Sequence, residues 1–177
     1  MLLTLTNLDD QTRKYMLEEI ESDIASPQRF YISPRLSNIG RNDYPLLLKQ
    51  AVESQNDEWL ANQLQQNGRL NETEQRRTKN GITNAKVPYN AHEMLAEGEF
   101  NRFYIRGLCR RAIEEGSNEL VVYRAKEVAN PRIESQAKIG TRVNAQSLLN
   151  DLRTHPGVDT ALGLPAGPNS GLSVKLP

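Results

Sequence analysis

The sequence predicts an α+β fold, with a mainly helical N-terminal half, a long central helix packed on a small sheet, and an extended C-terminal arm. Three observations carry this. Residues 90–116, NAHEMLAEGEFNRFYIRGLCRRAIEEG, hold the longest uninterrupted helical pattern in the chain. Residues 119–124, ELVVYR, form a β-branched apolar run of strand length. The last stretch is crowded with glycine and proline, which no regular element is expected to survive. The expected division is a single α+β domain over residues 1–155 and an arm over residues 156–177. Within the domain, residues 1–70 are mainly helical, and residues 71–155 hold a hairpin, the central helix, a strand and short helices.

Taken in order, residues 1–6 read as extended. Thr6 or Asn7 caps a first helix running to about Ser26, with Tyr15, Met16, Ile20 and Ile24 on one side. Asp9 and Asp10 fall in its first turn, where carboxylates oppose the positive helix end. Pro27 stops it, and residues 29–32, RFYI, are a short strand candidate. Asp43 and Pro45 open a second helix to about Ser54. Asn56 caps a third over residues 57–67, with Gly68 as the residue that ends it and Trp59, Leu60 and Leu64 inward. Asn80-Gly81 is a two-residue hairpin turn, so residues 74–78 and 82–87 become the arms of an exposed hairpin with Arg76, Arg77 and Lys79 at its tip.

In the central helix, Asn90 and Glu93 have capping-box spacing, and Gly116 is the terminating residue. Met94, Gly98, Asn101, Ile105, Leu108 and Ala112 recur at helical period, and Leu95, Cys109 and Ile113 widen the stripe. Phe100, Phe103 and Tyr104 lie off it, which predicts contacts on two sides. Gly98 and Gly107 each cost roughly 1 kcal/mol of helix propensity, a cost that close approach by another backbone usually offsets. Arg102, Arg106 and Arg110 recur at every fourth position and form a basic ridge with Arg111 beside them. The ridge is either a solvated face paired locally (Glu99 to Arg102, Arg110 to Glu114, Arg111 to Glu115) or a surface that binds anions or a partner. Only Arg106 lacks a local carboxylate. After the strand at 119–124, Asn130-Pro131 starts a short helix towards Ile139, and Asn144 caps a last helix, residues 145–154, with Leu148, Leu149 and Leu152 inward.

The chain has 177 residues, 37% of them hydrophobic, with no net charge, and a mean hydropathy of −0.64. Its balance argues against a binder of nucleic acid that relies on overall charge. The charge is unevenly spread, at −4 over residues 1–60 (six bases, ten acids) and +4 over the remainder (sixteen bases, twelve acids), an asymmetry open to head-to-tail contact between copies. A lone cysteine excludes an internal disulfide, and Cys109 on the core stripe reads as a small hydrophobe. Nothing approaches the ~20 apolar residues of a membrane span, and MLLTLTNLDD lacks the basic start and long apolar stretch of a signal peptide. A cytoplasmic chain without membrane contact is expected.

Residues 155–177 hold four glycines, four prolines and two charged side chains, yet Val158, Leu162, Leu164, Leu172, Val174 and Leu176 are spaced along them. An apolar extended segment needs a surface to lie on, either its own domain or a neighbouring subunit. At roughly 3.3 Å per residue it reaches at most about 75 Å. No glycine-rich phosphate loop is present, and no GxGxxG follows a strand. Two histidines and one cysteine are too dispersed for a metal site, and no nucleophile has a base beside it. No catalytic, cofactor-binding or metal-binding residue is expected.

The runs MLAEGEFNRFYIRGLCRRAIEEG, VYRAKEV, KIGTRV and LLNDLRTHPGVDTALGLPAGPNSGLSVKL, with YMLEEIESDI and FYISPRLS nearer the start, resemble a family of functionally unassigned proteins encoded in bacterial and phage genomes. The resemblance covers nearly the whole chain. It implies no catalytic residues, and a phage association. The expectation is a non-enzymatic structural subunit of a homo- or hetero-oligomeric assembly, such as a phage head, neck or tail, whose arm contacts neighbouring subunits. Leu162, Leu164, Leu172 and Val174 are its candidate contact residues, together with Arg76, Arg77, Arg102, Arg106 and Arg110. The alternative expectation is a nucleic-acid-binding or regulatory protein using those arginines.

Overall fold

The computed structural model describes residues 1–157, 164 and 170–177. It has the α+β composition that the sequence predicts. The elements run α1 (Asp10–Ile24), α2 (Asn38–Ser54), α3 (Asp57–Gln65), β1 (Thr73–Thr78), β2 (Gly81–Lys86), α4 (Ala91–Glu114), β3 (Glu119–Arg124), α5 (Ile133–Lys138), β4 (Arg142–Asn144), α6 (Ala145–Thr154) and β5 (Leu172–Lys175).

Helix α4 is the axis of the molecule. Helices α1, α3 and α6 and the sheet strands β3 and β5 all touch it, and every residue from Glu99 to Cys109 is buried. The two-sided contact predicted from Phe100, Phe103 and Tyr104 is therefore present, and all three rings sit in the core. At its C-terminal end Gly116 takes φ 78°. Its N–H donates to the Ile113 carbonyl at 3.1 Å, and that of Ser117 donates to Ala112 at 2.8 Å, the paired bonds of a Schellman stop. The start differs from the expectation: Asn90 makes no side-chain cap bond, and the Pro88 carbonyl instead accepts from the Ala91 N–H.

The two glycines of α4 separate sharply. A Cβ on Gly107 would lie 2.7 Å from Met16 Cγ and 2.9 Å from the Met16 backbone nitrogen, so α1 crosses α4 backbone to backbone there. A Cβ on Gly98 would meet nothing within 4 Å. The close approach predicted for both holds for Gly107 alone.

Around this axis the local start signals are partly where the sequence puts them. Asn56 Oδ1 accepts from Trp59 N, and Asn144 Oδ1 from Ser147 N, both at 2.9 Å. Helix α1 begins later than predicted because Asp9, and not Thr6 or Asn7, accepts the N–H of Thr12. Helix α2 begins earlier, at Asn38, because Ser37 Oγ accepts from Gly40 N and also donates to the Gly68 carbonyl. The helix then runs through Pro45. Residues 29–32 form no strand; Phe30 and Ile32 pack on the core from an irregular segment.

The sheet has order β4-β3-β5 and is antiparallel throughout. Both outer strands went unread in the sequence, and β5 corrects the expectation that no strand persists in the last residues. Val122 pairs with Val174, and Arg124 with Leu172. Asn101 of α4 fixes this strand from below, donating to the Leu172 carbonyl at 2.8 Å and accepting from Ser173 Oγ at 2.7 Å. The chain ends lie side by side, with Leu176 N on Asn7 Oδ1 at 3.0 Å and Thr4 N on the Ala125 carbonyl at 2.7 Å.

Opposite outcomes are expected for alanine at the two glycines. Gly107→Ala forces overpacking against Met16 and lowers stability by about 1–3 kcal/mol. Gly98→Ala meets open space and gains roughly 0.5–1 kcal/mol of helix propensity. Urea unfolding of both variants checks this, and shifts of the same sign contradict the crossing at Gly107.

Candidate functional site

At Arg102 and Arg106 the arginine ridge is neither a solvated face nor an exposed binding surface, although the expected Glu99–Arg102 pair is present at 3.7 Å. Arg106, 2% exposed, is clasped by two carboxylates of α1. Its Nε and Nη2 donate to Glu19 Oε2 at 2.9 and 2.6 Å, and its Nη1 and Nη2 donate to the Asp23 oxygens at 2.5 and 2.8 Å. Arg153 of α6 grips the same Glu19 at 2.5 and 3.0 Å. Burial pushes the Glu19 carboxyl up, but the hydrogen bonds from Arg153 and the charge of Arg106 outweigh it and hold the group below the ordinary glutamate range. Arg110 reaches Glu18 at 2.7 Å and not Glu114, which instead accepts from the Tyr15 hydroxyl. The expected Arg111–Glu115 pair is present at 2.9 Å, and Arg111 also binds Asp9 at 2.6 Å.

Arg102 is equally enclosed. It donates to the backbone carbonyls of Leu152 at 3.1 Å, His155 at 2.7 Å and Gly157, so it ends α6 and holds the chain beyond. The charge asymmetry between the two parts of the sequence is thus satisfied inside one chain. Asp9, Glu18, Glu19 and Asp23 of the acidic part meet Arg106, Arg110, Arg111 and Arg153 of the basic part, which removes the argument for head-to-tail contact.

The tail residues are corrected in the same direction. Leu172 and Val174 are fully buried in the sheet of their own domain, and Leu164 is 3% exposed. None is presented to a neighbour. Leu162 lies outside the described residues.

The hairpin stands as predicted, with Thr78 opposite Gly81 across the turn. Apart from Glu74 and Ala85, which are half-buried, both strands are exposed on both faces. Arg77 lies opposite Ile82, and Arg76 opposite Thr83. Ile82 is 70% exposed, and Tyr89, just past the hairpin, is 93% exposed. The hairpin is tied to the body by Arg35, whose Nε donates to Glu74 Oε2 at 2.6 Å.

Beneath that tie lies a feature not read from the sequence, a cavity of about 410 Å³ between the first half of α4, the segment around Tyr31–Arg35 and the start of β5. Leu3, Tyr31, Pro34, Met94, Leu95 and Leu172 supply apolar walls. Gly98 leaves one side open. Five polar lining groups, Arg35, Glu74, Glu97, Asn101 and Arg102, are already engaged. Arg35 holds Glu74, Lys126 holds Glu97, Arg102 is spent on carbonyls, and Asn101 on β5. Glu99 is different. It is 5% exposed, its nearest cation is Arg102 Nε at 3.7 Å, and no hydrogen-bond donor among the described residues reaches it. The Tyr44 hydroxyl is also buried without a partner among the described residues. Burial pushes the Glu99 carboxyl up to about 7, with Asp23 adding to that and Arg102 and Arg106 opposing it.

Cys109 is buried, and burial raises its thiol far above the ordinary range, so it is held as the protonated, unreactive form. Among the described residues no three His, Cys, Asp or Glu side chains converge as a metal site, and no helix is long and apolar enough to cross a membrane. Comparison with known proteins finds no matching family model, no matching curated protein and no matching solved structure.

The raised Glu99 group carries a pH signature of fixed sign. An unfolded chain ionises this carboxyl near the ordinary value of 4.5 and the folded chain only near 7, so its contribution is complete below the first value and is lost as pH rises through the second. Glu99→Gln removes that loss. The variant is expected to match the parent at acidic pH and to exceed it by on the order of 3 kcal/mol at mildly alkaline pH. Denaturant titrations across pH test this, and a difference independent of pH contradicts it.

Proposed function

We propose that this chain is a non-enzymatic structural subunit of a larger homo- or hetero-oligomeric assembly, and that the β1–β2 hairpin is the element that engages its neighbour. The observation that carries the reading is that the hairpin is a separate two-stranded sheet, with most of both its faces exposed. An isolated hairpin of this kind is marginal by itself in water, and packing against another surface is what stabilises it. Ile82 and Tyr89 give that surface apolar contacts, and Arg76, Arg77 and Lys79 give it a positive tip suited to an acidic patch. The resemblance to phage-encoded proteins points to a virion head, neck or tail as the assembly.

A second reading draws on the same tip. Arg76, Arg77, Lys79 and Lys86 are exposed side chains on one projecting ribbon, a shape and charge suited to a nucleic-acid groove. It no longer draws on Arg102 or Arg106, which are buried.

The paired variant Arg77→Glu with Ile82→Asp separates these readings. Under the assembly reading it leaves the unfolding midpoint nearly unchanged and weakens self-association, or co-assembly with the products of neighbouring genes, at least tenfold by analytical ultracentrifugation. Unchanged association, or a full-length chain that stays monomeric in every combination, overturns it. Under the second reading the full chain binds duplex or single strands, and each lost arginine lowers the slope of log affinity against log salt by about 1.

A further inference from the structure

We propose that the cavity between α4 and the Tyr31–Arg35 segment is a binding site for a small amphipathic amine, an apolar body bearing one cationic nitrogen that pairs with the Glu99 carboxylate. This is independent of what the hairpin does.

A carboxylate accepts hydrogen bonds at about four lone-pair positions, and burying one without donors is costly unless something pairs with it. Glu99 is 5% exposed and lines a cavity of about 410 Å³. Arg102 at 3.7 Å lies beyond hydrogen-bond distance, and its Nη atoms are committed to the carbonyls of Leu152, His155 and Gly157. The other cation on the wall, Arg35, is committed to Glu74 at 2.6 and 3.3 Å. Both guanidinium groups on the wall are thus held largely by other partners, whereas a cationic ligand finds a carboxylate that accepts no hydrogen bond from the described residues.

The walls set the rest of the ligand. Leu3, Pro34, Met94, Leu95 and Leu172 give an apolar lining, and the Tyr31 ring adds a face for a cation. The volume lies in the range that encloses a small molecule. Gly98 completes the case. A Cβ there would meet nothing within 4 Å, so this glycine is not explained by packing within the chain, and it keeps one wall of the cavity clear.

The test uses the full chain, labelled with nitrogen-15, and two probes, phenethylamine and benzamidine, against their uncharged counterparts phenethyl alcohol and benzamide. Saturable amide shifts are expected at Gly98, Asn101 and Gly171, with a dissociation constant on the order of 1 mM for ligands of this size. The uncharged counterparts are expected to bind at least tenfold more weakly. Glu99→Gln is expected to lose the preference for charge. Gly98→Leu, placed at the exposed edge of α4 where folding is not at risk, is expected to abolish binding of all four compounds. The proposal is overturned if the amines give no saturable shifts at these amides, if charged and uncharged probes bind alike, or if Glu99→Gln binds the amines as the parent does.

Discussion

Arg106 and the two carboxylates that clasp it are the constraint around which the molecule is assembled. A guanidinium that is 2% exposed cannot stay charged in the interior without full compensation, and its partners come from sequence positions 83 and 87 residues earlier. Glu19 then recruits Arg153 from α6, so three helices are locked to one carboxylate. The lock works only because α1 lies against α4, and that closeness is granted by Gly107 one residue along. Charge pairing and backbone approach are thus two halves of one crossing. Removing either partner leaves an uncompensated charge in the core, which makes this arrangement a strong determinant of which packing is reached even where its net stabilisation is modest.

The same crossing explains why the sequence was legible in some places and opaque in others. Signals completed within a few residues were readable: the Asn56 and Asn144 caps, the Gly116 stop and the Asn80-Gly81 turn each rest on chemistry local to the motif. Where two local signals compete, the outcome depends on distant groups. Ser37 begins α2 ahead of Asp43 because its hydroxyl also finds the Gly68 carbonyl. Strand β5 could not be read from a glycine- and proline-rich tail because its justification is the register with β3 and the grip of Asn101. The arginine ridge misled because i to i+4 spacing offers carboxylates on the same helix, while Glu18, Glu19 and Asp23 offer better ones on another. A usable hint did exist. Thr12, Met16, Glu19 and Asp23 share one helical stripe, and two acids on a stripe that also holds Met16 announce a buried cation opposite.

The two proposals both rest on places where those internal accounts do not balance. Most charged side chains on α4 are satisfied within the chain, and Leu172 and Val174, which looked like contact residues, complete the sheet. Two such places carry the proposals. The hairpin projects with exposed basic and apolar side chains, held at its root by Arg35 on Glu74 and by Asn71 on the Arg35 carbonyl. Below that root, Glu99 is a buried carboxylate with unused capacity beside open space. Glu74 belongs to both, because it anchors the hairpin and lines the cavity. Surface and cavity are therefore neighbours in the fold although their chemistry is different.

A double-mutant cycle of Arg106→Met and Asp23→Ala, read by equilibrium urea unfolding, tests the central claim most directly. Asp23 is the better partner for the cycle than Glu19, which Arg153 also holds. Arg106→Met is expected to cost about 3–5 kcal/mol, since it strands the buried Asp23 carboxylate, and Asp23→Ala about 2–3 kcal/mol, since Arg106 loses two charged hydrogen bonds but keeps Glu19. The pair together is expected to cost less than their sum by about 2–3 kcal/mol. Singles below about 1 kcal/mol with a coupling under roughly 0.5 kcal/mol would contradict the claim that this crossing organises the fold.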